Sequence, residues 1–323
     1  MTKSGWLLAP MLACGMLAPA AHAQTAWPER PIRLIMPFPP GGATDANARA
    51  IAKEMEPFLG QTIVVDNRGG ANGLIGADIV AKAVPNGYTL MHISVAFAIN
   101  ASTYKKLPYD TVRDFTPITN PLVGQGAAVV VHPSVAARSI TELIALAKTQ
   151  KLSFSSPGVG NVLHLIAEAF NARAGIQMLH VPYKGAGPSM IALAGAEVQM
   201  SVVPPIVGIP HFKAERLRPL AYSGAKRLGA LPDVPTISEA GLTGFSLDTG
   251  WHAWFGPAKM PEAIVNRVHD AVHKAVNTPK VRDYLLSGGY SPVADAPAVF
   301  QKNFPNDIKR WGEIARIAKI TPE

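Results

Sequence analysis

Apolar positions along this chain alternate between two periods. Ile32, Leu34, Ile35 and Met36 form a short apolar run of the kind a strand buries inside a sheet. Pro37, Pro39 and Pro40 then stop strand pairing, because none can donate a ladder hydrogen bond. Gly41 and Gly42 follow, and Ala48, Ile51, Ala52 and Met55 recur at helical spacing behind Thr44 or Asp45 as the cap. The succession of strand, loop and helix then repeats. Residues 62–65 (TIVV) read as a second strand, residues 66–76 (DNRGGANGLIG) as a glycine-rich turn into a helix, and residues 88–93 (YTLMHI) as a third strand. A second block opens with a strand at 126–131. Residues 139–142 (SITE) fit a capping box. A strand at 152–156 turns through residues 157–161 (PGVGN) into a helix carrying Leu163, Ile166, Ala167 and Phe170, which Gly175 ends. A strand at 178–181 turns through residues 182–188 (PYKGAGP) into the next helix. After Gly250 come an apolar strand, a helix over 261–277 and a last helix near 306–317.

This alternation predicts an α/β fold with parallel βαβ units, each sheet mixed but mostly parallel and flanked by helices. Ligands of such sheets bind beyond the carboxyl ends of the strands, which puts residues 39–45, 69–73 and 94–100 on one rim. If the last helix packs on the first block, the chain crosses between domains twice. The expected molecule is then two-lobed and hinged, with residues 24–124 and 250–323 in one lobe and 125–249 in the other.

Composition adds a compartment. The chain has 323 residues, 48% hydrophobic and 16% charged, ample for two cores. Lys3, the apolar run at 6–17 and Ala21-His22-Ala23 read as a secretory signal cleaved near Ala23 and Gln24, in residues 1–23. That run is short for a bilayer, and no later stretch approaches ~20 continuous apolar residues. Cys14, the only cysteine, falls within the signal, so the exported chain is expected to lack disulfides, thiolate nucleophiles and cysteine metal sites. Cleavage is favoured over lipid attachment at Cys14. The formal charge of +8 is spread along the chain. That spacing argues against a nucleic-acid tract and suits a small anion or an anionic membrane surface equally with a merely soluble surface.

No nucleophile elbow, zinc-protease helix, Walker loop or kinase set is present. Among nine histidines, His269 and His273 have i, i+4 spacing but read as solvated helix residues, and no metal site or cofactor is expected. His164 lies one turn inside the helix after Gly160, where packing is favoured over ligand contact. What remains is a set of helix N-termini facing one rim. Their first-turn amides lack intrahelical partners, and the dipole favours negative charge. The amides of Gly42, Gly160 and Gly185 and the side chains of Ser94, Ser155, Ser156 and Asn161 can donate to a carboxylate. This is the profile of a binding site. Taken alone, the stretch around Gly42 serves equally as an ordinary strand-to-helix connection.

The segments PIRLIMPFPPGGATD, HLIAEAFNARAG, HVPYKGAGPSM, LPDVPTISEAG and the W-x-x-W-F-G-P run at 251–257 resemble the Bug (TctC-type) family of periplasmic solute-binding receptors. The resemblance covers essentially all of the chain after the signal. It implies a Venus-flytrap, type II-like fold without catalysis. It also implies a small dicarboxylate, tricarboxylate or aromatic carboxylate held between the lobes and delivered by a monomer to a two-component permease. Onto this sequence it carries over Phe38, Pro40, Gly41 and Gly42 of the first loop, and Ser94, Ala96 and Phe97 after the third strand. From the second lobe it carries over Gly160, Asn161, His164, Tyr183 and Gly185. Asp45 behind the first loop and Ser155 before the second-lobe turn join these candidates on the reading of the residues themselves. The family commonly has Ser where Asn161 stands. Phe97 either stacks on an aromatic acid or closes the core, the second being favoured. An exported enzyme using His164 or Asp45, and a sensor for a membrane kinase, are the competing classes.

Overall fold

The computed structural model describes residues 27–318 and 320; the expected signal, with Cys14, lies outside the described residues. The chain begins with β1 (Ile32–Met36), α1 (Ala43–Leu59), β2 (Ile63–Asn67), α2 (Leu74–Ala81), β3 (Thr89–Ser94), α3 (Ala96–Thr103) and β4 (Phe115–Gly124). It continues with β5 (Ala128–Val131), α4 (Ile140–Thr149), β6 (Ser153–Ser156), α5 (Val162–Ala174), β7 (Leu179–Pro182), α6 (Ala186–Ala194), β8 (Met200–Val203), α7 (Pro205–Lys213) and β9 (Arg218–Tyr222). It ends with β10 (Gly250–Pro257), α8 (Glu262–Asn277), α9 (Pro279–Ser287), β11 (Tyr290–Pro292) and α10 (Pro297–Ile317).

These strands form two sheets, ordered β11-β4-β10-β3-β1-β2 and β7-β6-β8-β5-β9. β1 pairs in parallel with β2 and β3, and β6 in parallel with β7 and β8. Against that direction run β10 and β11 in the first sheet and β5 in the second. The α/β, two-lobed expectation therefore holds, with each sheet mixed. One surface of the first sheet buries Leu34 against Ile51, Met55, Val268 and Val272 of α1 and α8. The other buries Phe97, Phe255, Phe300 and Phe304. The chain leaves the first sheet after Gly124 and rejoins it at Gly250. The two crossings touch, Thr249 N–H donating to Gly124 O at 3.2 Å.

Local signals held in part. Ser139 caps α4 by accepting from Glu142 N–H, yet the Glu142 carboxylate accepts from Arg138 N–H rather than Ser139 N–H, so the box closes one residue early. Gly175 ends α5 in the left-handed region at φ 63°. Neither Thr44 nor Asp45 caps α1, because both already lie inside the helix, which starts at Ala43 with Gly42 as its N-cap. The last helix begins at Pro297, nine residues ahead of the expected 306, and runs through Pro305. Phe300, Phe304, Trp311 and Ala315 share its buried face, and that packing outweighs the amide lost at Pro305. Among the described residues no helix is long and apolar enough to cross a membrane.

Candidate functional site

The loop between β1 and α1 is fastened on both sides. Asn67 Nδ2 donates to Phe38 O and to Asp45 Oδ1, both at 2.9 Å. Gly41, at φ 88°, donates its N–H to Asp45 Oδ2 at 3.2 Å. Arg49 Nε holds both oxygens of the same carboxylate at 3.1 Å. The Asp45 charge is thus occupied by its own helix and loop, and the N-terminus of α1 has no side-chain cap from Gly42.

Opposite this loop lie two turns from the second sheet. Ser156 Oγ lies 2.7 Å from His180 Nε2 and accepts from Gly158 N–H at 3.2 Å. Gly160 N–H donates to His164 Nδ1 at 3.3 Å. The His164 and His180 rings stack with centroids 3.8 Å apart, and Phe154 stacks beside both. Burial lowers the His180 pKa to about 4, aided by the neighbouring His164. Asn161 caps α5, its Oδ1 accepting from Leu163 N–H at 3.1 Å. Gly185 N–H donates to Pro157 O at 2.9 Å, bringing the start of α6 beside the start of α5.

The lobes meet across these turns. A Cβ on Gly185 would lie 2.8 Å from Pro39 Cγ, and one on Gly42 would lie 3.3 Å from Ala186 Cβ. Between them is an inner cavity of about 60 Å³. Gly42, Ala43 and Thr44 at the start of α1 line it, with Asn161, Val162 and Leu163 at the start of α5 and Ala186 at the start of α6. Ser94, Thr249, His252 and Tyr290 also line it, and its lining residues include no lysine or arginine. A second compartment of about 620 Å³ opens outward, sharing Phe38, Pro39 and Pro157 with the first. Its walls include residues 69–73, Tyr104, Tyr183 and Lys184.

A family model described as the tripartite tricarboxylate transporter family receptor matches residues 47–320. The chain belongs to that family. BugT of Bordetella pertussis is 32% identical to this receptor over 321 residues, spanning 98% of this chain and 97% of BugT. The Rhodopseudomonas palustris protein Rpa4515, solved with adipate, is 31% identical with a TM-score of 0.87, covering 92% of this chain and 100% of that one. MatC from the same organism, with bound malate, is 29% identical with a TM-score of 0.82, covering 89% and 99%.

Within this tricarboxylate-transporter receptor the expected residues divide. Phe38, Gly42, Asp45, Ser94 and Asn161 line the inner cavity, and Tyr183 and Gly185 line the outer compartment. Others do not reach either wall. Pro40 and Gly41 are exposed at the loop's outer edge. Ala96 and Phe97 belong to the first turn of α3 rather than to a loop, because the helix starts immediately after β3. Phe97 is fully buried, packed on Phe115, Phe255 and Phe304, so it closes the core and offers no face to a ligand. Ser155 is buried beneath the turns, bonded to Ser189 Oγ at 2.8 Å. Gly160 packs against Thr103, and His164 supports the Gly160 amide from behind. Sequence reasoning missed Thr249, His252 and Tyr290. The one available signal was a histidine inside the apolar run GWHAWFGP, whose strand lies opposite Ser94 in the sheet register.

Proposed function

We propose that this receptor binds a small organic carboxylate between its lobes and delivers it to the membrane subunits of a tripartite tricarboxylate-type transporter. One observation carries the reading: the N-termini of α1, α5 and α6, from opposite sheets, converge on a single cavity whose lining lacks a side-chain cation. Unpaired amides there suit an anion, and each bond to a carboxylate oxygen is charge-assisted. Gly42, Ala43, Val162 and Ala186 would supply amides, and Ser94 a hydroxyl. The adipate and malate held by the two structural relatives support a ligand of that class. Residues 24–124 with 250–323 form one lobe in this reading and 125–249 the other, hinged at the touching crossings. Export behind a signal cleaved near Ala23, action as a monomer in the periplasm and binding without turnover complete it. Isothermal titration of the exported chain with malate, adipate, succinate, tricarballylate and benzoate tests the proposal. Saturable binding of at least one acid, recovered chemically unchanged by NMR, is the expected result. An acid converted to product, or no binding across the panel, overturns it.

A further inference from the structure

The two sheets are joined across the cleft by a chain of three asparagines. Asn161 Nδ2 donates to Asn72 Oδ1 at 3.3 Å, Asn72 Nδ2 to Asn100 Oδ1 at 2.8 Å, and Asn100 Nδ2 to Asn72 O at 3.0 Å. The polarity of this chain is set at both ends by backbone. Leu163 N–H can only donate, which fixes Asn161 Oδ1 as its acceptor and turns Nδ2 toward Asn72. Asn72 O can only accept, which fixes Asn100 Nδ2 upon it and leaves Asn100 Oδ1 for Asn72. No amide in the chain can be turned over without breaking a bond.

The backbone is shaped to present Asn72. Gly70, Ala71, Asn72 and Gly73 all have positive φ, at 139°, 45°, 48° and 95°. Such a run costs free energy, and asparagine is among the side chains that bear it best. Asn100 is fully buried and has two of its bonds only through Asn72. Asn161, for its part, both caps the helix facing the inner cavity and reaches over the cleft.

We infer that Asn161 is a positioning residue that couples the ligand-facing end of α5 to closure, and that Asn72, held by Asn100, is its partner across the cleft. The bond can exist only when the lobes are shut, so it favours the shut form before any ligand enters. A serine at 161 would keep the cap but is too short to span to Asn72. This inference deepens the binding proposal by assigning a closure role at the same cleft, yet its test does not need a ligand.

The exported chain has no cysteine, so Lys105→Cys and Lys148→Cys accept a dye pair specifically, one in each lobe. Single-molecule energy transfer without ligand gives the closed-to-open ratio. Asn161→Ser and Asn72→Gly should each lower it about 2- to 12-fold, the worth of one neutral hydrogen bond, and the double variant should lower it no further. Thermal stability of Asn161→Ser should fall by no more than the worth of that one bond, because serine caps as well as asparagine. Malate affinity, where malate binds, should drop by the same factor as the ratio. A ratio unchanged in either single variant, or additive losses in the double, would overturn the inference. Failure of every acid to bind would instead strike the binding proposal and leave this measurement decisive.

Discussion

Gly185 and Gly42 look alike in the sequence and act differently in the structure. Gly185 has φ 117°, which L side chains rarely adopt, and a Cβ there would also press into Pro39 of the other lobe. Gly42 has an ordinary φ of −83°, and only its approach to Ala186 across the cleft demands a small residue. Gly42→Val should therefore abolish detectable carboxylate binding in titration while reducing ligand-free stability by less than about 1 kcal/mol, the loss of a tolerable cap. Gly185→Ala should weaken binding and also cost about 1–3 kcal/mol of stability through backbone strain. If Gly42→Val bound as well as wild type, the interlobe contact would not be what closure requires. Phe97 makes the opposite case. Its ring sits among four aromatic neighbours and none of the cavity walls. Phe97→Ala should cost about 3–5 kcal/mol in chemical denaturation and leave the order of preference among aliphatic and aromatic acids as it was.

At the scale of elements, α1 shows how a helix can carry an acidic residue in its first turn and still receive an anion. Asp45 is buried and lines the inner cavity, where a bare carboxylate would repel the ligand. Arg49, one turn on, cancels that charge while Gly41 and Asn67 hold its oxygens. Arg49→Gln should thus weaken carboxylate binding by roughly 2- to 10-fold, more at low salt than at high, since the uncovered charge is screened by ions. Equal affinities at both ionic strengths would show that Asp45 plays no electrostatic part. The sequence made β1, α1 and the α5 turn legible because apolar period and glycine punctuation agree there. It hid α3, because residues 94–100 are too uniformly apolar to show a period. It hid the first nine residues of α10, because a proline rule of local origin forbids a helix that burial of Phe300 and Phe304 then imposes. Asn161 was legible only as a candidate ligand group; its capping of α5 emerges from the fold, and its bond to Asn72 depends on a left-handed turn that no spacing announces.

For the whole molecule, the double crossing decides what meets at the cleft. β10 returns between β3 and β4, so His252 lands beside Ser94, and β11 adds Tyr290 from nearly two hundred positions later in the chain. Such long-range neighbours leave no periodic trace, which is why that side of the cavity was not legible. The same packing buries histidines that acid must charge. His252 has its pKa lowered to about 3 by burial, and His92 is lowered well below its ordinary value by burial and by His252 beside it. The groups facing them are the neutral Asn47, Trp254 and Tyr290, and neither His92 nitrogen has a hydrogen-bond partner among the described residues. His180, behind the ligand-facing turn, stays neutral down to about 4. In the unfolded chain each titrates near 6.5, so above that pH both states hold these rings neutral and stability is whole. As pH falls below 6.5 the unfolded state takes up protons that the folded state refuses, and stability declines until the folded pKa values are reached. For the fully buried His252 the decline approaches about 1.4 kcal/mol per pH unit between roughly 6 and 3. Ligand-free protein should therefore lose stability steadily in urea titrations from pH 6.5 to pH 4, before most carboxylates titrate. His252→Gln should flatten that slope by close to one proton's worth, whatever its effect at neutral pH. A slope of wild-type steepness in the variant would mean that His252 is charged, or free to become so, in the native fold.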